Sequence, residues 1–494
     1  MTARISIFLF ALVLSTNAFA RDEYTRHFDQ TLAIHSGGRV TVENKFGDII
    51  IHTHPQQDVA IHADIRVSAA DSNQAKQYAD RVEILVDSSS GLSIRTRYPD
   101  TQKSVLGMHW SNVSFCVHYE LTVPENSPLS VRNAFGAVAL TGVKASSDVI
   151  NSHGELTFHD GRGTQRLENS FARIEVGNNT GDVTVETSNG AVNAVDVKGA
   201  LIIRDRFASL TIARISNGVT VSNTNGGVQI SDSGGPGDIR NSFGEVSIHG
   251  YRGDVTVNDT NGKVEATDVN GSANLKTTFG AVQFSNIAHD LSVRSNNCRV
   301  SGRNVGGSLT IVNSFGATEV SDVGRDVRIE SGNGSVVVQK AGGTANIKTS
   351  FGIVQATDIA AALSIENSNG SVKVSNARGA QVITSFGSVS LDGISGPIQV
   401  ENQNGAVDAG STLRGACQPI SLRTSFSTLR VRLQPDASYR VSARTSFGKI
   451  RSEFPLTIAG SLSNDEVNGT LGSGRCEMRL ADNNGTIEIV KSDN

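Results

Sequence analysis

Four residues near the N-terminus have side chains of the types that bind metal ions. His52, His54, His62 and Asp64 alternate along two predicted strands that a short turn, Pro55-Gln56-Gln57, joins into a hairpin. In such a hairpin they share the face opposite the apolar one, so imidazoles and a carboxylate could converge on a cation. A solvated strand face is the simpler interpretation, and we predict no metal site from this pattern.

The sequence contains none of the short motifs that mark common catalytic sites. It lacks a nucleophile elbow, a phosphate-binding loop, a zinc-binding helix motif and a paired-cysteine metal spacing. We therefore predict no catalytic residue and no cofactor. A carbohydrate-active enzyme, a lyase or hydrolase on a β-helix, is the alternative, and the irregular stretch between 405 and 448 is the place where a cleft could be built.

Two other motifs have a simpler explanation in the regular spacing of the chain. Arg252-Gly253-Asp254 spells an integrin-binding tripeptide, but Gly253 and Asp254 occupy positions where Gly and Asp recur every 18 residues or a multiple of 18. Asp and Asn residues at regular intervals also suggest calcium. Turn formation accounts for them better, because Asx side chains bond to nearby backbone and tolerate left-handed conformations.

The chain has four cysteines, Cys116, Cys298, Cys417 and Cys476, for which three pairings are possible. Cys298 occupies a position that glycine fills elsewhere in the repeat, where it acts as a small filler. Cys417 and Cys476 both lie in the irregular C-terminal part, and they are the pair that we expect to form a disulfide.

Most of the chain is organised by a repeat of 18 residues. A tag resembling Asn-Ser-Phe-Gly returns at this interval from Asn133 to Gly370 without a slip. The residue before the tag glycine alternates between Phe and Asn, so the full period is 36 residues. A fixed period of this length is typical of a solenoid, in which each unit buries its apolar face against its neighbours.

Each unit contains two short strands and two turns. Counted from the tag glycine, apolar residues fall at offsets 2, 4, 7, 11 and 13, as they do in the unit that follows Gly190. Asp or Asn is usual at offset 6 and Gly at offset 9, which are turn residues. The pattern predicts an all-β fold, a parallel β-solenoid (β-helix) of 18-residue coils. Offset 15 carries Asn, Asp or Thr, which we expect to form a polar ladder along the stack.

Phenylalanines form a second ladder, at offset 17. Simple alternation gives this offset the parity of offsets 11 and 13, which points the rings inward at a corner. An exposed aromatic stripe that binds a glycan or a protein is the other interpretation. The residues of this structural ladder or binding stripe are Phe135, Phe171, Phe207, Phe243, Phe279, Phe315, Phe351 and Phe386.

The flanks of the repeat divide the chain into four segments. Residues 1–20 have the charge, apolar core and Ala-Phe-Ala site of a secretory signal, with cleavage after Ala20. Residues 21–132 read as a mixed N-terminal cap, β-rich with one helix over residues 69–81 that Asp71 caps. Residues 133–404 form the regular solenoid, and residues 405–494 form irregular coils and a C-terminal cap.

Charge and hydropathy limit the possible partners. A net charge of −4 argues against a nucleic-acid-binding protein. No segment after the signal approaches the length of a membrane helix, so we predict no integral membrane segment after cleavage. The expected location is outside the cytoplasm, in the periplasm, on the cell surface or secreted.

Several segments together resemble the bacterial putative-adhesin family, a domain of unknown function with a β-solenoid fold. They are the segment 44–49 (Asn-Lys-Phe-Gly-Asp-Ile), Leu121 to Pro124, Leu129 to Gly136, the repeated Gly-x-Val-x-Val pattern and Asn484 to Ile489. The resemblance covers roughly residues 44–490. It implies a non-enzymatic, adhesin-like binding or scaffold protein of the cell envelope, with a surface ligand of unknown identity, glycan or protein. No binding residue can be carried over from it.

Overall fold

The computed structural model describes residues 21–99, 113–413, 416–458 and 465–492. The predicted secretory signal, residues 1–20, lies outside these ranges. The chain divides into two compact units, residues 1–162 and residues 163–494. Within the described ranges, no helix has the length and apolar character needed to cross a membrane.

In residues 21–99 and 113–162, the described part of the first unit, there are one helix and eleven strands. The helix α1 is Ser72–Arg81, and the strands in chain order are β1 Asp22–Ala33, β2 Val40–Glu43, β3 Ile49–His54, β4 Asp58–Ala69, β5 Glu83–Asp87, β6 Leu92–Arg97, β7 Ser114–Pro124, β8 Leu129–Arg132, β9 Val138–Thr141, β10 Ser147–Asn151 and β11 Leu156–His159.

The strands of the first unit do not pair in the order in which they occur in the chain. In one sheet the neighbours run β1, β4, β7, β3, β9, β11, and in the other they run β5, β6, β2, β8, β10. The predicted hairpin of β3 and β4 is therefore wrong, because β7 lies between them. A turn sequence reverses the direction of the chain, but it does not prevent a third strand from inserting between the two strands that the turn connects.

The helix α1 lies where the sequence predicts it. Asp71 is its N-cap, and its carboxylate accepts a hydrogen bond of 2.9 Å from the backbone N–H of Gln74. This bond satisfies one of the N–H groups that a helix start leaves without a partner. Ala75, Tyr78 and Ala79 are the buried residues of the helix, which contacts β1 and β4.

The second unit is built almost entirely of short strands. In chain order they are β12 Gln165–Asn169, β13 Ile174–Asn179, β14 Val183–Thr187, β15 Val192–Val197, β16 Leu201–Arg204, β17 Leu210–Ile215, β18 Val219–Ser222, β19 Val228–Ser231, β20 Gly237–Arg240, β21 Val246–Tyr251, β22 Val255–Asn258, β23 Val264–Val269, β24 Ala273–Lys276, β25 Val282–Ile287, β26 Leu291–Asn297, β27 Val300–Val305, β28 Leu309–Phe315, β29 Thr318–Val323, β30 Val327–Asn333, β31 Val336–Ala341, β32 Ala345–Phe351, β33 Val354–Ile359, β34 Leu363–Asn369, β35 Val372–Ala377, β36 Ala380–Phe386, β37 Val389–Ile394, β38 Ile398–Asn404, β39 Val407–Ser411, β40 Ile420–Arg423, β41 Leu429–Leu433, β42 Tyr439–Thr445, β43 Ile450–Ser452, β44 Thr457–Ile458, β45 Glu466–Leu471, β46 Cys476–Asp482 and β47 Ile487–Lys491.

From β12 to β41 these strands alternate between two parallel sheets. Even-numbered strands pair with even-numbered strands and odd with odd, so that a residue pairs with the one 18 positions later, as Val192 pairs with Leu210. The same rule holds for the rest of this stretch, apart from a 17-residue coil after Gly370 and a 22-residue coil after Gly405. This pairing confirms the predicted parallel β-solenoid of 18-residue coils.

The core of each coil consists of the predicted apolar offsets. In the coil that follows Gly190, Val192, Ala194, Val197 and Leu201 are at most 1% exposed. The buried residues at offsets 4 and 7 are three positions apart, where alternation along a strand would give two, and this difference has a local cause. Asp196, at offset 6, has a positive φ of 60°, and this left-handed residue turns the chain so that Val197 faces inward again.

Every non-glycine residue with a positive φ in the described part of the chain occupies offset 6. They are Asp160, Asn178, Asp196, Arg214, Asp232, Asp268, Asn286, Asn304, Asp322, Lys340, Asp358 and Asn376. Arg214 and Lys340 are the exceptions to the Asp/Asn rule. Each forms an ion pair with the aspartate of the preceding coil, Asp196 or Asp322, which offsets some of the strain.

The last coil of the chain is inserted between two earlier ones. Strand β46 pairs with β40 on one side and β42 on the other, and β47 pairs with β41 and β43. The coil formed by β42 and β43 is therefore followed in the stack, on its outer side, by the antiparallel strand β45, which pairs with β42 and β44. The irregular tag spacing after residue 405 reflects this rearrangement.

Candidate functional site

The phenylalanine ladder of the second unit lies on the surface. The side chains from Phe171 to Phe447 at the tag position are between 50% and 83% exposed. They are Phe171, Phe207, Phe243, Phe279, Phe315, Phe351, Phe386, Phe426 and Phe447. In the first unit, Phe135 is 44% exposed. Large exposed apolar patches on monomeric proteins mark interaction sites, so this row of exposed rings is the candidate binding surface.

The inward direction given by simple alternation is wrong for offset 17, and the polar ladder at offset 15 explains why. Asn313, at offset 15, is buried, and its Nδ2 donates to the carbonyl oxygens of Cys298 at 3.0 Å and Gly316 at 3.2 Å. These bonds tie Asn313 to the tag residues at the corner where β28 ends, at Gly316. Phe315 is the last residue of β28, beside this corner, and it is 50% exposed although it has the parity of Leu309 and Ile311. Alternation predicts a face only while a strand stays straight.

The same bonding pattern recurs along the ladder. Asn223, Asn241, Asn367 and Asn402 each donate to the tag residue three positions later and to the tag residue of the preceding coil. Each amide thereby joins two coils and satisfies backbone carbonyls that the corner removes from the sheet. The polar ladder thus fixes the chain beside a phenylalanine where it carries asparagine, as at Asn241 before Phe243 and Asn313 before Phe315.

The tag glycine allows the coils to approach at the corner. Gly352 has a φ of 136°, and a Cβ atom at this position would lie 2.2 Å from the carbonyl oxygen of Gly334 in the preceding coil. Most tag glycines have a similar contact, so a side chain added to one of them would push on the neighbouring coil. Three other tag positions carry a small side chain: Ala172, Ala208 and Cys298. The tag glycine therefore lets neighbouring coils pack closely, and this close packing places the adjacent aromatic residues in one row.

Rungs of Phe and Asn alternate in register along this row. Phe315 pairs with Asn297 on one side and with Asn333 on the other, and the pairing continues in this way from Asn225 to Asn404. Because neighbouring coils are about 4.8 Å apart, successive rings are about 10 Å apart. The ladder thus offers apolar ring faces at a constant interval, with amide groups between them. From Phe171 to Phe447 the residue just before the ring is Ser or Thr, except for Arg206 before Phe207.

In the first unit the equivalent rings are in direct contact. Phe46 stacks on Phe135 with ring centroids 5.4 Å apart, and Phe135 stacks on His153 at 4.6 Å. Tyr98 and Phe115 pack edge-on against Phe46. Here the aromatic rungs support each other, whereas in the second unit an asparagine separates them.

Three carboxylates of the second unit line the best candidate for a catalytic depression. Glu168, Glu186 and Asp205 surround a volume of about 500 Å³. Glu186 forms ion pairs with Arg166 at 3.0 Å and Arg204 at 3.4 Å. Asp205 belongs to the polar ladder and accepts a hydrogen bond of 2.6 Å from the N–H of Ala208. Glu186 and Asp205 are therefore engaged in structural contacts.

A cysteine, a histidine and an aspartate of the first unit lie in a row that resembles a nucleophilic triad. The Sγ of Cys116 is 3.1 Å from Nε2 of His118, and the Nδ1 of His118 is 3.1 Å from Oδ2 of Asp48. Burial raises the pKa of the Cys116 thiol, and the nearby Arg66 offsets this only in part. A thiol with a raised pKa is a poor nucleophile at neutral pH, so the row does not indicate a catalytic site.

Of the four N-terminal residues considered as metal ligands, only two come together. The Nε2 of His62 is 3.3 Å from Oδ1 of Asp64. His52 and His54 are on β3, which β7 separates from β4, and the ring of His54 bonds to Asp58. The structure adds His27 from β1, whose Nδ1 is 2.7 Å from Oδ1 of Asp64. Alternation in residues 22–33 is the sequence signal that could have identified this strand.

The integrin-like tripeptide is part of the stack. Oδ1 of Asp254 accepts a hydrogen bond of 2.8 Å from the backbone N–H of Ser272 in the next coil. Asp182, Asp290 and Asp326 make the same contact with the coils that follow them. This shared role supports the interpretation that the motif follows from the repeat.

Cys417 and Cys476 form a disulfide in the structure, with Cα atoms 6.0 Å apart. Cys417 precedes β40, and Cys476 begins β46, the strand inserted beside it. The bond therefore attaches the inserted last coil to the coil on which it packs. Cys116 and Cys298 are free thiols, and Cys298 is buried.

Three positions of the polar ladder carry an aspartate in place of an amide or hydroxyl. Asp205, Asp259 and Asp482 are buried, and burial raises the pKa of each carboxyl group. The pKa of Asp259 reaches about 6, although the N–H groups of Thr260 and Gly262 partly offset the effect of burial. An ionised carboxylate cannot donate to the carbonyl oxygens as an asparagine does, so these are weak points of the ladder.

Comparison with known proteins gives one family and one distant structure. Residues 318–490 match the model of the family described as Toastrack DUF4097, which confirms over this range the predicted resemblance to a family of unknown function. No curated protein matches the chain. A crystal structure described as "a putative cell adhesion protein" from Clostridium sporogenes ATCC 15579 aligns with 95% of this chain and 100% of its own, at 6% identity and a TM-score of 0.15.

Proposed function

We propose that this chain is an exported, non-enzymatic binding protein of the adhesin-like kind, and that the phenylalanine ladder is its ligand-binding surface. The observation that supports this most directly is the row of exposed rings from Phe243 to Phe386, whose rungs pair in register. Burying a phenylalanine stabilises a protein by roughly 1.5–3 kcal/mol, and the fold does not use this gain at the ladder. A ligand that covers the rings would use it.

The ligand class that fits the ladder best is an extended, uncharged polysaccharide. Sugar rings have apolar faces that stack on aromatic side chains, while their hydroxyls require hydrogen-bonding partners. The ladder supplies a ring at every second coil and an asparagine between, as at Phe279, Asn297 and Phe315. An extended glycan whose sugars alternate in orientation presents the same ring face at every second sugar, which matches this order. A protein strand is the other ligand class.

Repetition suits such a surface to adhesion. One phenylalanine and its neighbouring asparagines make a weak site, but successive sites on the same glycan chain bind at a high effective concentration. Equal spacing matters here, since sites that are out of step with the ligand cannot be occupied together. The strict 36-residue period from Phe171 to Phe351 gives this equal spacing.

Export is supported by two features of the chain. Residues 1–20 have the sequence of a secretory signal. The disulfide between Cys417 and Cys476 suits an oxidising compartment, where such bonds form and persist. Together they favour the periplasm, the cell surface or the medium over the cytoplasm.

A set of alanine variants tests the proposal. Phe243→Ala, Phe279→Ala and Phe315→Ala are combined in one protein, and Ile383→Ala, an exposed aliphatic change outside the ladder, is the control. Binding to a panel of insoluble and soluble β-linked polysaccharides is measured by co-sedimentation and by the displacement of labelled oligosaccharides. We expect the triple variant to lose at least about tenfold in affinity, roughly 1.4 kcal/mol, while the control binds like the wild type.

Two results would contradict the proposal. A loss of several kcal/mol in unfolding free energy for each substitution, as for a buried phenylalanine, would make the ladder structural. Unchanged binding of a glycan or protein ligand by the triple variant would place the ligand elsewhere. Release of new reducing ends from a polysaccharide would favour the enzyme alternative, and it is assayed on the same panel.

A further inference from the structure

We propose that His27, His62 and Asp64 form a binding site for a divalent cation of the zinc class on the outer face of the N-terminal sheet. The three residues lie on the antiparallel strands β1 and β4, where His27 is directly opposite Asp64 and Asp29 is directly opposite His62. Residues two apart on a strand share a face. The register therefore places two histidines and two carboxylates at the corners of one small box.

The donor atoms in this box are close enough for one ion. Nδ1 of His27, one ring nitrogen of His62 and one oxygen of Asp64 all lie within 4.8 Å of one another. Oδ1 of Asp64 is 2.7 Å from Nδ1 of His27 and 3.3 Å from Nε2 of His62. Ligand atoms placed tetrahedrally at about 2.0–2.2 Å from zinc are about 3.3–3.6 Å from one another. Small side-chain rotations are enough to reach this arrangement.

The neighbouring groups orient the ligands as they do in metal sites. The Nδ1 of His62 is 2.6 Å from Oδ1 of Asp29, which leaves Nε2 for the centre of the box. A carboxylate that holds the second nitrogen of a ligating histidine is a recurrent feature of zinc sites. Arg66 bonds to Oδ2 of Asp64 at 3.1 Å and leaves Oδ1 facing the histidines.

The chemistry of the donors selects the class of cation. Imidazole nitrogens with a carboxylate favour Zn²⁺ and neighbouring transition metals over Mg²⁺ and Ca²⁺, which prefer sites made only of oxygen. The side chains of His27 and His62 are 63% and 46% exposed, so a fourth coordination position is open to water or to an external ligand. Glu120 of β7 lies opposite His62 on its other side and adds negative charge.

Calorimetric titration of the untagged mature protein with ZnCl₂, after treatment with a chelator, tests this site. We expect one Zn²⁺ per chain with a dissociation constant in the micromolar range, and no heat with Mg²⁺. His62→Ala and Asp64→Asn should weaken binding by at least about tenfold, and Asp29→Asn should weaken it by about 10-fold to 100-fold, the usual effect of losing an orienting carboxylate. His52→Ala is the matched control, because His52 is an exposed histidine on β3 of the same sheet.

Additional measurements separate loss of the site from loss of the fold. The urea midpoint of each variant should stay close to that of the wild type. Titration with Co²⁺ should give the visible absorption of a nitrogen- and oxygen-ligated ion, and ring signals of His27 and His62 should shift in NMR spectra when Zn²⁺ is added. The proposal is overturned if Zn²⁺ does not bind up to millimolar concentration. It is also overturned if His62→Ala binds Zn²⁺ like the wild type, or if His52→Ala weakens binding to the same extent.

Discussion

Replacing Asp259 with asparagine should make the second unit more stable at neutral pH. Asp259 occupies a ladder position where Asn241, one coil earlier, donates to the carbonyl oxygens of Gly226 and Gly244. The aspartate is 4% exposed, and burial raises its pKa from 3.8 to about 6. An asparagine at this position carries no charge and can donate to the carbonyl oxygens of Gly244 and Gly262.

The pKa gives the size and the sign of the effect. A carboxyl group whose pKa is higher in the folded than in the unfolded state destabilises the fold when it ionises. The destabilisation is absent below the unfolded pKa, grows as the pH rises from about 4 to about 6, and is complete above that. A rise from 3.8 to about 6 corresponds to about 3 kcal/mol of unfolding free energy. The hydrogen bonds gained by asparagine add to this, at about 1 kcal/mol each.

Urea unfolding of the wild type and of Asp259→Asn, followed by circular dichroism at about pH 4 and about pH 7.5, measures this difference. Asp232→Asn serves as the control, because Asp232 is exposed and its left-handed turn position takes asparagine in other coils. We expect the gain at the higher pH to exceed the gain at the lower pH by about 3 kcal/mol, with almost no change in the control at either pH. A difference between wild type and Asp259→Asn that does not depend on pH would refute the reasoning.

Three further changes test other parts of the fold. Gly352→Ala should destabilise the stack by at least about 1–3 kcal/mol in urea unfolding, because its Cβ atom would lie 2.2 Å from a carbonyl oxygen. Gly227→Ala is the control and should be neutral, because the nearest contact of its Cβ atom is at 3.7 Å. Cys417→Ser removes the disulfide between two cysteines that are 59 residues apart in the chain, and it should lower the unfolding free energy by about 4 kcal/mol. A reductant should have the same effect on the wild type. Equal stability of the wild type with and without reductant would contradict this prediction. Asp71→Ala removes the cap of α1 and should reduce stability by about 1 kcal/mol, with faster hydrogen exchange at the N–H of Gln74; unchanged exchange would count against the cap.

The regular part of the fold could be predicted from the sequence because its interactions repeat at short range. Offsets 2, 4, 7, 11 and 13 are buried as predicted, and the Asp/Asn residues at offset 6 have the left-handed conformation that turns require. Because each coil repeats the same pattern, an irregular residue in one coil does not obscure the period. The period therefore gave the pairing register, which a single strand cannot give.

The parts that could not be predicted depend on contacts between distant segments. The outward direction of Phe315 depends on a corner that Asn313 holds, and alternation within a strand carries no information about corners. The insertion of β7 between β3 and β4 separates His52 from His62, and the antiparallel partner β1 supplies His27 instead. The insertion of β7 leaves no local signal in the sequence, and the alternation of residues 22–33 indicates a strand without indicating which strand it pairs with.

The inserted last coil also constrains when the molecule can finish folding. The coils containing β40 and β42 are separated by only a few residues in the chain, but in the stack β46 lies between them. Neither coil can complete its hydrogen bonds on that side until residues 476–491 are present. A chain that emerges from its N-terminus, as in synthesis or export, therefore keeps an open slot near its end until its last residues arrive. Forming such contacts late raises the entropic barrier to folding. Once the Cys417–Cys476 bond has closed the slot, the loss of the last coil is slowed as well.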